Sequence, residues 1–467
     1  MNAIVLLAVL GVITMLSDVL GFKKSIWYII LIGLLGALFV TALDWYMPGV
    51  YTDFIYADKM FFTDTYAVLF SGLILKLVLI WFIISRDQYT SHEFNAADNY
   101  ALILFATVGA LLLTCYMDLS LLFLGIEILS IPMFILAGSR KHDLSSNEAS
   151  LKYFLMGAFA TGIMLFGITL IYGACGSFNL QQIAEYTAQN NGHLPIMFYT
   201  GILLIMVGLG FKVSAVPFHF WTPDVYQGAP MFVTAFMATV VKTAAFAGFF
   251  RLFVTCFTSI NSAWALSLSM IIAATILVAN FIAVYQTSVK RMLAYSGIAQ
   301  AGYILLTLLV LNQESKTALA LYLASYSIAT LAAFTVLYHV VKTKGNDSFD
   351  SFNSLGKTNP FLAFIMTVAM LSLAGIPPTV GFFAKFYLFS AVLRADFNNL
   401  WIVSIAVLGS LISVYYYFRV IISMYAKEGE TADIKLSLPY KAILVLMVGM
   451  IVLLGILPGY ILSINNL

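Results

Sequence analysis

The chain has 467 residues, of which 62% are hydrophobic, 15% aromatic and only 9% charged, with a net charge of +2. A soluble domain carries about 25% charged residues. With a mean hydropathy of +0.98, this composition excludes an ordinary soluble enzyme, a disordered chain and a nucleic-acid binder. Cys115, Cys175 and Cys256 lie far apart in or beside apolar runs, so no disulfide framework, metal site or iron–sulfur ligand set is expected.

A helix needs roughly 20 apolar residues to cross a bilayer. Cuts at charged and Gly/Pro/Asn-rich breaks predict fourteen spans, at 1–20, 25–43, 63–85, 99–116, 119–138, 151–175, 195–218, 230–256, 263–285, 293–311, 315–341, 359–393, 398–421 and 440–463. Met117 and Asp118 alone separate the fourth from the fifth. No small-residue cleavage site follows the first run, which is kept as a helix. Long unbroken apolar runs exclude a β-barrel, whose strands alternate over about ten residues. The fold class is all-α, a polytopic membrane protein.

Loops after odd-numbered spans hold fourteen Lys and Arg, among them Lys23, Lys24, Arg140, Lys290, Arg291 and Lys435. Loops after even-numbered spans hold four: Lys59, Arg251, Lys316 and Arg394. Basic residues concentrate on the cytoplasmic side, so the odd loops face the cytoplasm and both termini face outward. The outer stretch 44–62, with Asp44, Asp53 and Asp58 against Lys59, agrees.

Five lysines remain inside spans, Lys76, Lys152, Lys212, Lys242 and Lys385, with Glu127 the acid well inside one. Charges in a bilayer are costly, face protein or wet cavities, and mark ion or substrate paths. Lys152, near its span's cytoplasmic start, is also placed to snorkel. Lys76 in LILKLVL suits a structural contact as well as a functional one.

Two spans are broken. The seventh reads GLGFKVSAVPFHFW with Pro217 inside it; the twelfth reads LSLAGIPPTVGFFAKF with Gly375, Pro377 and Pro378. Proline removes a backbone hydrogen bond, and inside a membrane the freed groups need protein or a wet cavity. Corresponding broken helices point to a transporter built from internal repeats. The predicted organisation is an N-terminal three-helix segment at 1–98, five-helix units at 99–257 and 258–425, and a C-terminal loop and helix at 426–467. Five is odd, so the second unit is inverted.

Burial disfavours a lysine's charge and lowers its proton affinity by up to about 3–5 pKa units, while a nearby carboxylate restores it. A Glu–Lys pair that separates and rejoins is therefore a switchable proton site. His219 in PFHFW is a candidate relay, His339 is expected at the cytoplasmic interface, and Asp224 in WTPDVYQGAP is expected to order its loop. No nucleotide, nucleophile or haem motif is present in the sequence.

GFKVSAVPFHFWTPDVYQGAP, then Lys242 in ATVVKTAAF, LFLGIEILSIPMFILAG around Glu127, SVKRMLAYSGIAQAGY at 288–303, and LSLAGIPPTVGFFAKF at 371–386 resemble the antiporter-like membrane subunits of bacterial respiratory complex I, closest to the subunit N family. The wider group includes sodium/proton antiporter and membrane-bound hydrogenase subunits. The resemblance implies that Glu127 pairs with Lys212, that Lys242 connects to Lys385, and that Lys152 joins the path; no role transfers to Lys76. It also implies no cofactor in this chain. NADH oxidation, flavin, iron–sulfur clusters and quinone chemistry fall to partner subunits. Sister antiporter-like subunits, the bilayer and protons are the implied partners, and the inner membrane the location. Two alternatives stay open, a cation/proton antiporter or hydrogenase subunit, and a scaffold whose buried charges hold helices in register.

Overall fold

The computed structural model describes residues 2–17, 19, 21, 25–46, 60–89, 95–190, 193–429, 434 and 436–457. Lys23, Lys24, Lys59, Lys435, Asp53 and Asp58 lie outside the described residues, as do the ends of the first and last predicted spans. Nineteen α-helices follow in order: α1 Asn2–Met15, α2 Ile26–Tyr46, α3 Thr65–Tyr89, α4 Ala96–Cys115, α5 Leu119–Ala137, α6 Leu144–Cys175, α7 Leu180–Asn190, α8 Ile196–Val213, α9 Trp221–Gly228, α10 Met231–Phe236, α11 Lys242–Cys256, α12 Asn261–Val284, α13 Val289–Leu305, α14 Gln313–Lys344, α15 Leu355–Thr358, α16 Pro360–Ala374, α17 Val380–Ala395, α18 Leu400–Ala426 and α19 Leu438–Ile456. A π-helical turn, Met237–Val241, joins α10 to α11 in one continuous segment. Among the described residues the only β-type pairings are isolated bridges.

Among the described residues twelve segments are long and apolar enough to cross a membrane, and α1 and α16 are shorter apolar helices. Together they occupy all fourteen predicted runs, α17 completing the twelfth. The cut between α4 and α5 has a local cause: Asp118 caps α5 by accepting from the Ser120 amide, satisfying one of the orphan donors of a helix start. Asp143 caps α6 in the same way, so α6 begins well before the run at 151. The amphipathic α7 was not among the predicted spans because it is short and polar on one side. Its buried Thr187 donates to the Cys256 carbonyl at 3.0 Å.

The chain divides into two compact units. The first comprises Met1–Val213 and Gly228–Trp264, the second Ser214–Gln227 and Ala265–Leu467. In the first, Gly109 brings α4 against the α5 backbone at Gly125 and Leu129, and Gly167 does the same for α6 on α8 at Gly201. Small residues at such crossings let membrane helices pack closely where water supplies no driving force. In the second unit, Gly381 of α17 lies on the Ser372 carbonyl of α16, so the two halves of the twelfth span fold tightly against each other.

Several loop charges turn out to be structural. Arg251 is not in a loop: it is buried in α11, paired with Asp64 at 2.5 Å and stacked over the Tyr66 ring at 5.0 Å. Removing it from the loop count strengthens the charge asymmetry. His339, near the C-terminal end of α14, is buried with its ring edge-on to Tyr440 of α19 at 5.2 Å.

Candidate functional site

In the first unit, α5 turns Glu127 and Ser130 to one face, because residues three apart on a helix are neighbours. Lys212, 3% exposed in the last turn of α8, donates to Ser130 Oγ at 2.7 Å. Ser130 in turn donates to the Ile126 carbonyl of its own helix. Glu127 stands one turn before Ser130 on the same helix. The Tyr153 ring of α6 covers the amine at 5.7 Å from Nζ. Ser130 was legible as the residue one turn beyond Glu127; Tyr153, next to the more conspicuous Lys152, was not.

Lys152 itself points elsewhere. It forms an ion pair with Glu148 at 2.6 Å, both side chains well exposed, so the structure does not gather it with Glu127 and Lys212. Lys242 is 1% exposed at the end of the π turn. Inserted turns of this kind recur at functional sites, and no residue pattern announced this one.

The first break opens at Ser214, which adopts the left-handed φ of 68° although it is not glycine. The Val216 amide, freed from the helix, donates to Thr275 Oγ1 at 2.9 Å. His219 is buried in this stretch with its ring beside Phe220. The continuation α9 is held by two residues read from sequence as loop charges. Arg291 pairs with Asp224 at 3.0 Å and donates to Gln227 Oε1 at 2.6 Å, and Lys290 donates to the Gln227 carbonyl at 3.0 Å. The ordering role expected of Asp224 thus has a defined partner.

At the second break the carbonyls that end α16 are all satisfied. The last carbonyls of a helix lack intrahelical partners. In α16, Gly375 with φ 81° turns the chain so that its amide bonds the Leu371 and Ser372 carbonyls, joined by the Ile376 amide on Leu371. The remaining two go to side chains: Leu373 accepts from Gln300 Nε2 at 3.0 Å, and Ala374 from Lys385 Nζ at 2.9 Å. Lys385 also donates to Ser410 Oγ at 2.9 Å and lies over the Tyr303 ring at 5.1 Å.

Gln300 is the hub of a buried polar network that sequence reading overlooked. Its Nε2 also donates to the Tyr417 hydroxyl at 3.2 Å, and its Oε1 accepts from Tyr322 at 2.5 Å. Tyr417 meets Ser296 at 2.5 Å. Nearby, Asn280 donates to Tyr303 at 3.1 Å and accepts from Tyr416 at 2.9 Å. A small cavity of about 10 Å³, room for a single water, is lined by Gln300, Tyr322, Ser372 and Lys385 among others. A polar side chain inside an apolar run was the available signal, since Asn280 stands in LVANFIAV and Gln300 in GIAQAGY.

Each lysine therefore sits at the negative end of the half-helix that precedes its break. Lys212 belongs to the last turn of α8, and Lys385 reaches back to the last carbonyl of α16. The helix dipole favours a cation there. Among the described residues no cluster of His, Cys, Asp and Glu could hold a metal.

Comparison with known proteins gives the family. The family described as NADH:quinone oxidoreductase/Mrp antiporter, TM, matches residues 116–413. The NADH-quinone oxidoreductase subunit N of Cytophaga hutchinsonii is 49% identical across 100% of this chain and 99% of its own. The subunit N of Flavobacterium johnsoniae is 41% identical with full coverage of both. A chain of respiratory complex I from Thermus thermophilus superposes with a TM-score of 0.82 at 33% identity, covering 99% of this chain and 98% of that one. The chain belongs to the NADH:quinone oxidoreductase/Mrp antiporter family of membrane subunits, among the subunit N proteins of NADH-quinone oxidoreductase.

Proposed function

We propose that the chain is a proton-translocating subunit of the membrane arm of NADH:quinone oxidoreductase, moving protons over Glu127, Lys212, Lys242 and Lys385. The observation that supports this best is the repeated device: a Pro-broken span, a buried lysine at the negative end of its first half, and a hydroxyl on the amine. A lysine held in such a place gains or loses its proton as its partners approach or withdraw. Glu127 supplies the movable charge in the first unit, and His219 is a further relay. Lys152, paired with exposed Glu148, is assigned to the path by family resemblance alone.

In this reading the chain binds no cofactor, and flavin, iron–sulfur clusters and quinone reside in partner subunits. It lies in the bacterial inner membrane with both termini on the outer side, as the loop charges indicate. Purification of the chain from its native membrane tests the assignment. Co-purification with a flavin- and iron–sulfur-containing peripheral arm and NADH-driven quinone reduction is expected. Sodium/proton exchange without NADH dehydrogenase activity would instead support the antiporter alternative.

A further inference from the structure

Lys76 stands apart from the other embedded lysines. Lys212 bonds Ser130, Lys385 bonds Ala374 and Ser410, and Lys152 pairs with Glu148; Lys242 also interacts within the chain. Among the described residues, Lys76 has no hydrogen bond, ion pair or ring contact. It is exposed, although Ile74, Leu75, Leu77 and Val78 around it are buried.

α3 is a 25-residue helix. At a rise of about 1.5 Å per residue, Lys76 lies roughly 16 Å from one end and roughly 20 Å from the other. A lysine near a helix end can snorkel to the headgroups, but a four-carbon stem does not span either distance. The outward strip of α3 is otherwise apolar, through Leu69, Leu73, Leu79 and Ile83. Arg86, nearer the helix end, has its own cover in the Trp27 ring at 4.6 Å. A charge facing lipid in the middle of a span is strongly disfavoured, and such residues pair with one another or face protein.

We infer that the outward strip of α3 is a subunit interface, and that the neighbouring subunit sets a membrane-embedded carboxylate opposite Lys76. Charge complementarity selects the partner. An acid within an apolar helix carries the same burial cost and is relieved by the same contact, whereas a lipid phosphate stays at headgroup depth. The inference rests on the reading of the chain as one subunit of a multi-subunit membrane complex.

Photo-crosslinking in the assembled complex tests it. p-Benzoylphenylalanine placed at Leu73 or Leu79 probes the strip and leaves Lys76 intact. The expected adduct is a peptide of a neighbouring subunit with Asp or Glu inside an apolar run. Lys76→Glu should then lose most of the assembled complex, and exchanging the identified acid for lysine in the same strain should restore it. Adducts to lipid alone, adducts to a peptide without an embedded acid, or undiminished assembly of Lys76→Glu would overturn the inference. NADH:quinone reduction measured on the same preparation reports separately on the functional reading: its absence would fail that reading, and the adduct would still decide who covers Lys76.

Discussion

Lys212 and Lys385 occupy different chain positions relative to their prolines, one before the break and one after it. Sequence alone made this look like an imperfect repeat. The structure gives a common rule: Lys212 stands in the last turn of the helix half before its break, and Lys385 reaches back to the last carbonyl of the half before its own. Position along the chain was visible, but the fold-back that equalises the two sites was not. Ser130 is the residue-scale test in the first unit. A hydrogen bond to a charged group is worth about 1.5–3 kcal/mol, so Ser130→Ala removes the acceptor that holds the Lys212 amine on α5. Reduced proton pumping per NADH with normal assembly is expected, measured by vesicle acidification alongside native gels. Gly375 tests the second site. A Cβ there would come within 2.9 Å of Lys385 Cδ in a backbone with φ 81°, a conformation that costs a residue with a Cβ about 1–2 kcal/mol. Gly375→Ala should therefore displace Lys385 and lower both the proton yield and the thermal midpoint of the complex.

At the scale of elements, the broken ends are where the polar chemistry concentrates. α16 closes with every terminal carbonyl occupied, and two of the occupants come from other helices. Gln300→Leu would leave the Leu373 carbonyl and the Tyr322 and Tyr417 hydroxyls short of partners, each unsatisfied buried group costing about 1–3 kcal/mol. A lower unfolding midpoint and increased hydrogen exchange at Gly375 and Ile376 are the expected readouts. The α9 clamp behaves differently, being more exposed: Asp224 and Arg291 are about a third accessible. Exposed ion pairs contribute about 0–1 kcal/mol, so Arg291→Gln should leave stability nearly unchanged while loosening α9, detectable as faster proteolysis near Gln227. The spans and both breaks were legible because hydropathy and proline act locally. The capping network was not, because it joins Gln300, Leu373 and Tyr417 across distant stretches of chain. The π turn before Lys242 left no local trace at all.

For the whole molecule, composition decided the class at once, and the charges that composition left over decided most of the candidate site. Glu127 is half-buried, and Lys212, Lys242 and Lys385 are enclosed by the fold. Lys152 and Lys76 are not, and an isolated chain cannot explain an exposed lysine in mid-span; the explanation lies in an assembly, which a single sequence does not encode. With Arg251 moved into α11 the proposed orientation keeps its basis in the remaining loop charges, so a cysteine placed before α1 should label with a membrane-impermeant reagent from the outer side of intact cells. The central claim, that the buried lysines carry protons, is tested most directly by the proton-to-electron ratio of membranes holding the fully assembled Lys212→Met complex. A ratio below that of the parent, with NADH-driven quinone reduction still measurable, is predicted; an unchanged ratio would contradict the account.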